Sequence, residues 1–347
     1  MTPYIWAVLM LTLGLGTTIT FSSSHWLLAW VGLEINTLAI IPLMIRTSHP
    51  RAVEATAKYF LAQATAAATL LFAGATNAWL TGQWNISLAL HPMPGTLVIL
   101  ALSLKLGLAP LHTWLPEVLQ GLTLTTGLIL STWQKLAPFS LLIQLPFQDH
   151  HLIFALGLTS MAVGGWGGLN QTHLRKVLAY SSIAHMGWAL IVSQLASPLA
   201  LLALTTYIIM TSTAFLALKL MGSLTINSLA TSWTKSPVLA SMFALVLLSL
   251  GGLPPLTGFL PKLLVLDHLV KETLTPLAMF AAFAALLSLY FYLRISYSLA
   301  LTISPNNLSA TQAWRLQTFS RSSFLASTTT TSLVLLPLAP AIVSIHL

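Results

Sequence analysis

Cysteine is absent from the 347 residues, and charge is scarce: fourteen Lys and Arg and six Asp and Glu make up 6% of the chain. The missing thiols exclude disulfides, thiolate metal sites, iron–sulfur ligation and a cysteine nucleophile. Any electron-transfer centre that serves this chain must therefore sit elsewhere. The scarcity of charge excludes a water-soluble core-and-shell protein, in which roughly a quarter of residues are charged. No G-x-G-x-x-G, Walker A or G-x-S-x-G motif occurs, so nucleotide binding and serine hydrolysis have no support. No carboxylate or histidine spacing suits a metal. The opening MTPYIWAVLMLTLGLG lacks a basic n-region, a small-residue cleavage site and an Arg/Ser-rich leader, so no removable targeting segment is expected. The net charge of +8 is scattered between apolar runs and forms no basic face, which argues against nucleic acid as a partner.

What is present is apolar, 56% of all residues. With about 20 apolar residues per membrane crossing, the chain reads as an all-α polytopic membrane protein of about eleven spans. These fall near 3–21, 25–45, 56–80, 95–121, 125–145, 152–170, 176–195, 199–221, 237–271, 276–299 and 323–345. The fourth is interrupted at Leu108-Ala109-Pro110-Leu111 and the ninth at Gly251-Gly252-Leu253-Pro254-Pro255. Glycine and proline inside a span free backbone groups that protein or water must satisfy, so such breaks line cavities. Counted from an N-terminus on the positive side, the positive-side loops hold Arg46, Arg51, Lys58, Arg175, Lys176, Lys235, Arg315 and Arg321, and the opposite loops Asp149, Lys271 and Glu272. That asymmetry predicts an N-terminus on the positive side and a C-terminus opposite.

The two breaks share a pattern. Pro110 to Pro116 and Pro255 to Pro261 repeat proline, leucine, an aromatic, leucine and proline at an offset of 261 − 116 = 145 residues. Each unit holds five spans, an odd number, so the second copy must enter from the other side. The expected organisation is an inverted repeat, 1–148 and 149–300, each with one discontinuous helix, followed by 301–347 with a loop and a C-terminal helix. Broken helices in corresponding positions of inverted halves point to an ion pathway.

Four ionisable residues fall at membrane depth: Glu34, Lys105, Lys135 and Lys262. A charge near the bilayer centre costs at least ~2.5–3.5 kcal/mol on insertion scales. The bland reading is that they pair to lock helices; the functional one is a proton relay tuned by burial and mutual repulsion. His112 and His185 lie within spans and titrate near neutrality, so each is a possible relay member or a hydrogen-bonded core histidine. Lys58, Lys219 and Arg294 sit close enough to helix ends to anchor at the positive surface. Ser22–Ser24 and Thr328–Thr331 read as local backbone partners, and the glycines at 164, 165, 167 and 168 as points of close helix packing.

Three stretches carry a family resemblance: LAPLHTWLPEV (108–118), RKVLAYSSIAHMGW (175–188) and GGLPPLTGFLPKL (251–263). Together they resemble the antiporter-like proton-translocating membrane subunits of respiratory complex I, in the animal form that lacks the first three of about fourteen helices. Leu263 departs from the tryptophan expected after the Pro-Lys pair. The resemblance implies that Glu34 and Lys105 form the charged pair of the first half-channel, that Lys135 joins the halves, and that Lys262 serves the second. It implies no cofactor on this chain, with FMN, iron–sulfur clusters and ubiquinone on other subunits. It also implies other membrane-arm subunits and lipids as partners, no free monomer, and the mitochondrial inner membrane with the matrix as the positive side. A stand-alone cation/proton antiporter and a structural membrane-arm spacer are the alternatives.

Overall fold

A computed structural model describes residues 3–46, 49–88, 90–145, 150–234, 236–300 and 323–338. Asp149, Lys235, Arg315, Arg321 and positions 339–345 of the last expected span lie outside the described residues. Among the described residues the fold is helical, and its β structure is two isolated bridges, His25 with Asn85 and His173 with Thr225.

The helices in chain order are α1 (Pro3–Ser22), α2 (Trp26–Met44), α3 (Pro50–Thr81), α4 (Pro92–Leu106), α5 (Trp114–Gly121), α6 (Leu124–Gln144), α7 (His150–Gly168), α8 (Leu174–Ser193), α9 (Ser197–Met221), α10 (Ile226–Ala230), α11 (Pro237–Gly251), α12 (Phe259–Lys271), α13 (Thr275–Ala300) and α14 (Ser323–Val334). Five of them, α1, α2, α3, α9 and α13, are long and apolar enough to cross a membrane. Proline opens α3, α4, α9 and α11 within their first two positions, where its missing N–H is not needed. Left-handed glycines close the same four helices: Gly82, Gly107, Gly222 and Gly252.

Both expected breaks are present. The fourth span is α4 and α5, separated by residues 107–113, and the ninth is α11 and α12, separated by 252–258. Each break contains a cis X–Pro bond, Ala109–Pro110 and Pro254–Pro255. At 32 residues α3 is about 48 Å long, more than the ~30 Å hydrocarbon core. It is therefore long enough to extend past the apolar layer, and Arg51, Glu54 and Lys58 lie in its first three turns. Within the described part of the expected 323–345 span, α14 ends at Val334 and a 3-10 turn follows at Leu336–Leu338. Pro337 explains the stop, since a proline disfavours helical backbone in the residue before it and cannot donate to the preceding turn. A short helix not expected from hydropathy, α10, is held by a capping box between Thr225 and Ser228.

The most buried of the five long helices is α9, which packs against α6, α8, α11, α12 and α14. α7 and α8 approach closely through Gly157, Gly164 and Gly187; a methyl at Gly164 would lie 2.7 Å from the Ala184 nitrogen. The serines and threonines of the chain mostly bond back to carbonyls three or four residues earlier, as expected for Ser22 and Thr328–Thr331.

Candidate functional site

Each buried lysine is delivered by a different part of this frame. Lys105 lies in the last turn of α4, just before the first break. Lys135 sits midway along α6. Lys262 lies in the first turn of α12, just after the second break. Their exposures are 7%, 2% and 8%, too little for bulk water to solvate the ammonium groups.

Their surroundings differ in how many of the three ammonium donors are met. Lys135 donates to the Ser182 carbonyl at 3.3 Å and to the Tyr207 hydroxyl at 3.2 Å, and its Nζ lies 4.7 Å from the Tyr207 ring centroid. Tyr207 in turn donates to the Ser131 carbonyl at 3.0 Å. Lys262 donates to the Gly251 carbonyl at 2.7 Å, an acceptor left over at the C-terminal end of α11. Lys105 has no partner among the described residues.

Lys105 instead borders a cavity of about 20 Å³ shared with Asn36, Gln63, Gln134 and Lys135. About 10–15 Å³ suffices for one water when polar groups surround it. Both amide atoms of Asn36 are also buried and unpartnered among the described residues. Room for that amide comes from Gly16 on α1, where a Cβ would collide with the Asn36 side chain. The cavity thus places two lysines and an unsatisfied amide around a water-sized space. A buried ammonium without acceptors is strongly disfavoured, so hydration is the arrangement these groups demand.

Glu34 on α2 is half-buried and accepts a hydrogen bond from Thr37 at 2.7 Å. It acts on Lys105 through space, but the two do not form an ion pair. The ion pairs among the described residues are Lys58 with Glu54 at 2.9 Å and with Glu117 at 2.6 Å, and Lys271 with Asp267 at 2.7 Å. Lys58 is thus a tie between α3 and α5. Arg294 donates to the Leu169 carbonyl at the end of α7, and Arg175 to the Leu122 carbonyl after α5.

The two histidines occupy different settings. His185 on α8 is in electrostatic reach of both Lys135 and Lys262 and of the Leu250 backbone, and has its ring 5.7 Å from that of Tyr207. It is thus near Tyr207, the partner of the central lysine, and near the end of α11 at the second break. His112 lies in the first break, 3.3 Å from the Pro110 carbonyl and tilted against Tyr180, and no contact joins it to a lysine among the described residues.

Gly252 deserves its place at the second break on two counts. Its φ of +81° is left-handed, and a Cβ there would lie 2.9 Å from Lys262 Nζ. Beyond Lys262, an apolar crevice of about 580 Å³ opens between α12 and α13, lined in part by Leu263. Sequence reasoning did not single out Asn36, Ser182 or Tyr207. Neutral polar groups at membrane depth give no one-dimensional signal that separates them from the many hydroxyls bonded to their own helix.

Residues 23–288 match the family model described as "NADH:quinone oxidoreductase/Mrp antiporter, TM", and residues 289–343 match "NADH dehydrogenase subunit 2 C-terminus". The NADH-ubiquinone oxidoreductase chain 2 of Tetraodon nigroviridis is 64% identical over 345 residues, 99% of each chain. Among solved structures, a chain of respiratory complex I from Thermus thermophilus aligns with a TM-score of 0.84 at 28% identity, covering 98% of this chain and 80% of that one. A chain of the Mrp complex from Dietzia shares the fold, with a TM-score of 0.74 at 20% identity over 84% of this chain and 59% of that one. By full-length identity and by both family models, the chain belongs to the NADH-ubiquinone oxidoreductase chain 2 family.

Proposed function

We propose that this chain is a core membrane-arm subunit of respiratory complex I and takes part in proton translocation coupled to NADH:ubiquinone electron transfer. Protons move along Glu34, Lys105, Lys135, His185 and Lys262. The observation that carries the reading is that His185 lies in electrostatic reach of both Lys135 and Lys262, on a chain whose other buried lysine, Lys105, shares a water-sized cavity with Lys135. Glu34 sets the field at Lys105, Lys105 acts across the cavity on Lys135, and Lys262 gates the second half. Two like charges about 8 Å apart oppose each other by on the order of 2 kcal/mol at an effective dielectric of ~20, enough to couple successive steps. His112, away from the lysines, serves at the mouth of the first break.

The frame for this relay is an inverted repeat of residues 1–148 and 149–300 within about eleven spans. Its support is paired detail. His25 occupies the N-cap position of α2 and bridges to Asn85 after α3, while His173 occupies the N-cap position of α8 and bridges to Thr225 after α9. Gly107 and Gly252 close α4 and α11 at an offset of 252 − 107 = 145 residues. The N-terminus faces the mitochondrial matrix and the C-terminus the intermembrane space. Arg51, Lys58, His173 and Lys176, drawn from separate expected positive-side connections and their flanks, line one polar cleft, which supports that orientation. FMN, iron–sulfur clusters and ubiquinone belong to other subunits, and neighbouring membrane-arm subunits and lipids cover the exposed apolar faces.

The test is Lys135→Met in the assembled complex, with NADH oxidation and proton translocation measured together. Loss of coupled pumping is the expected result. Unimpaired oxidation and pumping would sink the relay.

A further inference from the structure

Most hydroxyls of the chain bond back to their own helix, but two at the second break reach across to another. Ser249, near the end of α11, and Thr257, just before α12, are buried, with their hydroxyls 3.2 Å apart. Both donate to the Ser332 carbonyl of α14, Ser249 at 3.0 Å. Ser332 is one of the last four residues of α14, whose carbonyls find no N–H within the helix. Ser249 Oγ also accepts the Gly258 N–H at 3.3 Å, a donor left over at the start of α12. The two hydroxyls thus satisfy groups orphaned at the ends of two helices and join α11, α12 and α14 at one point.

That point brackets the Lys262 contact. Ser249 lies two residues before Gly251, whose carbonyl receives Lys262 at 2.7 Å, and Gly258 lies four residues before Lys262. A Cβ on Gly258 would collide with the Ser249 carbonyl, so the end of α11 and the start of α12 meet backbone to backbone. The first break is braced differently, by the Trp114 indole donating to the Leu104 carbonyl at 3.1 Å. Phe259 stands at the matching position, 259 − 114 = 145, and has no side-chain N–H with which to repeat that bond. The second break takes its brace from α14 instead, a helix outside both proposed repeats.

We propose that α14 is a clamp on the second break, and that Ser249 and Thr257 are positioning residues that hold Lys262 against the Gly251 carbonyl. The inference rests on the relay reading above and names what sets the geometry of its second half. Without the two hydroxyls, the Ser332 carbonyl and the Gly258 N–H are left unpaired away from water. Parting α12 from α11 relieves that penalty and draws Lys262 off its acceptor.

The experiment compares Thr257→Val, Thr257→Ser, the double variant Ser249→Ala/Thr257→Val and Lys135→Met in the assembled complex, reading coupled proton translocation per bound flavin. The double variant should lose translocation roughly tenfold, the rate equivalent of one lost hydrogen bond. Thr257→Val, in which Ser249 still meets Ser332, should lose part of it, and Thr257→Ser should pump as the wild type does. Where the double variant fails to assemble, Thr257→Val decides by the same readout. Normal translocation in the variants lacking the hydroxyls, with Lys135→Met impaired, would overturn this inference alone. Normal translocation in Lys135→Met would overturn the relay itself. Reduced yield with normal translocation per flavin would show that the hydroxyls only stabilise the fold, and would overturn the clamp; so would a Thr257→Ser variant as impaired as Thr257→Val.

Discussion

Replacing Gly252 by alanine separates the chemistry of the second break from its backbone. Gly252 holds φ at +81°, and the new Cβ would lie 2.9 Å from the Lys262 ammonium. The left-handed conformation costs a non-glycine residue roughly 1–2 kcal/mol. Displacing Nζ from the Gly251 carbonyl, 2.7 Å away, removes a hydrogen bond to a charged group, worth about 1.5–3 kcal/mol. The sum, roughly 2.5–5 kcal/mol, destabilises the break with Lys262 in its present position. Because the lysine chain is long, part of this strain is relieved by swinging Nζ toward the apolar crevice. The assay is proton translocation per NADH in the assembled complex, alongside yield per bound flavin. Gly252→Ala should give reduced yield and, in the complex that forms, reduced pumping. A complex with wild-type yield and wild-type pumping would refute the reasoning that Gly252 sets the position of Lys262.

Two further substitutions address the first half. Asn36→Leu removes two unpartnered buried atoms at similar volume, so stability should hold within about 1 kcal/mol, while pumping falls because the cavity beside Lys105 loses a polar wall; a stability loss without a pumping defect would contradict this. Glu34→Gln keeps an acceptor for Thr37 but removes the charge that acts on Lys105. Coupled turnover should drop about thirtyfold, matching an interaction of on the order of 2 kcal/mol, with assembly intact, as read by pumping rate against flavin content.

Much of this architecture was legible in one dimension because proline, glycine and lysine are conspicuous in an apolar chain. Pro110 and Pro255 marked both breaks, and Lys105, Lys135 and Lys262 stood out by the penalty of burying them. What hid was the neutral half of the site. Tyr207 meets Lys135 across 72 residues and Ser182 meets it across 47, and only tertiary packing creates those contacts. Asn36 sits in an ordinary helical stretch, and its importance comes from Gly16 on another helix. The expected Glu34–Lys105 pair is an interaction at a distance, with the carboxylate tied to Thr37 instead, a choice of local partner that residue spacing does not reveal.

The central claim is that protons pass between the buried lysines through water and side-chain hydroxyls. A density map of the assembled complex that resolves ordered water tests it most directly. The account predicts a water in the cavity bounded by Lys105, Asn36, Gln134 and Lys135, and hydrogen-bonded continuity from Lys135 through His185 to Lys262. A dry cavity at Lys105, with an apolar gap between Lys135 and Lys262, would contradict it.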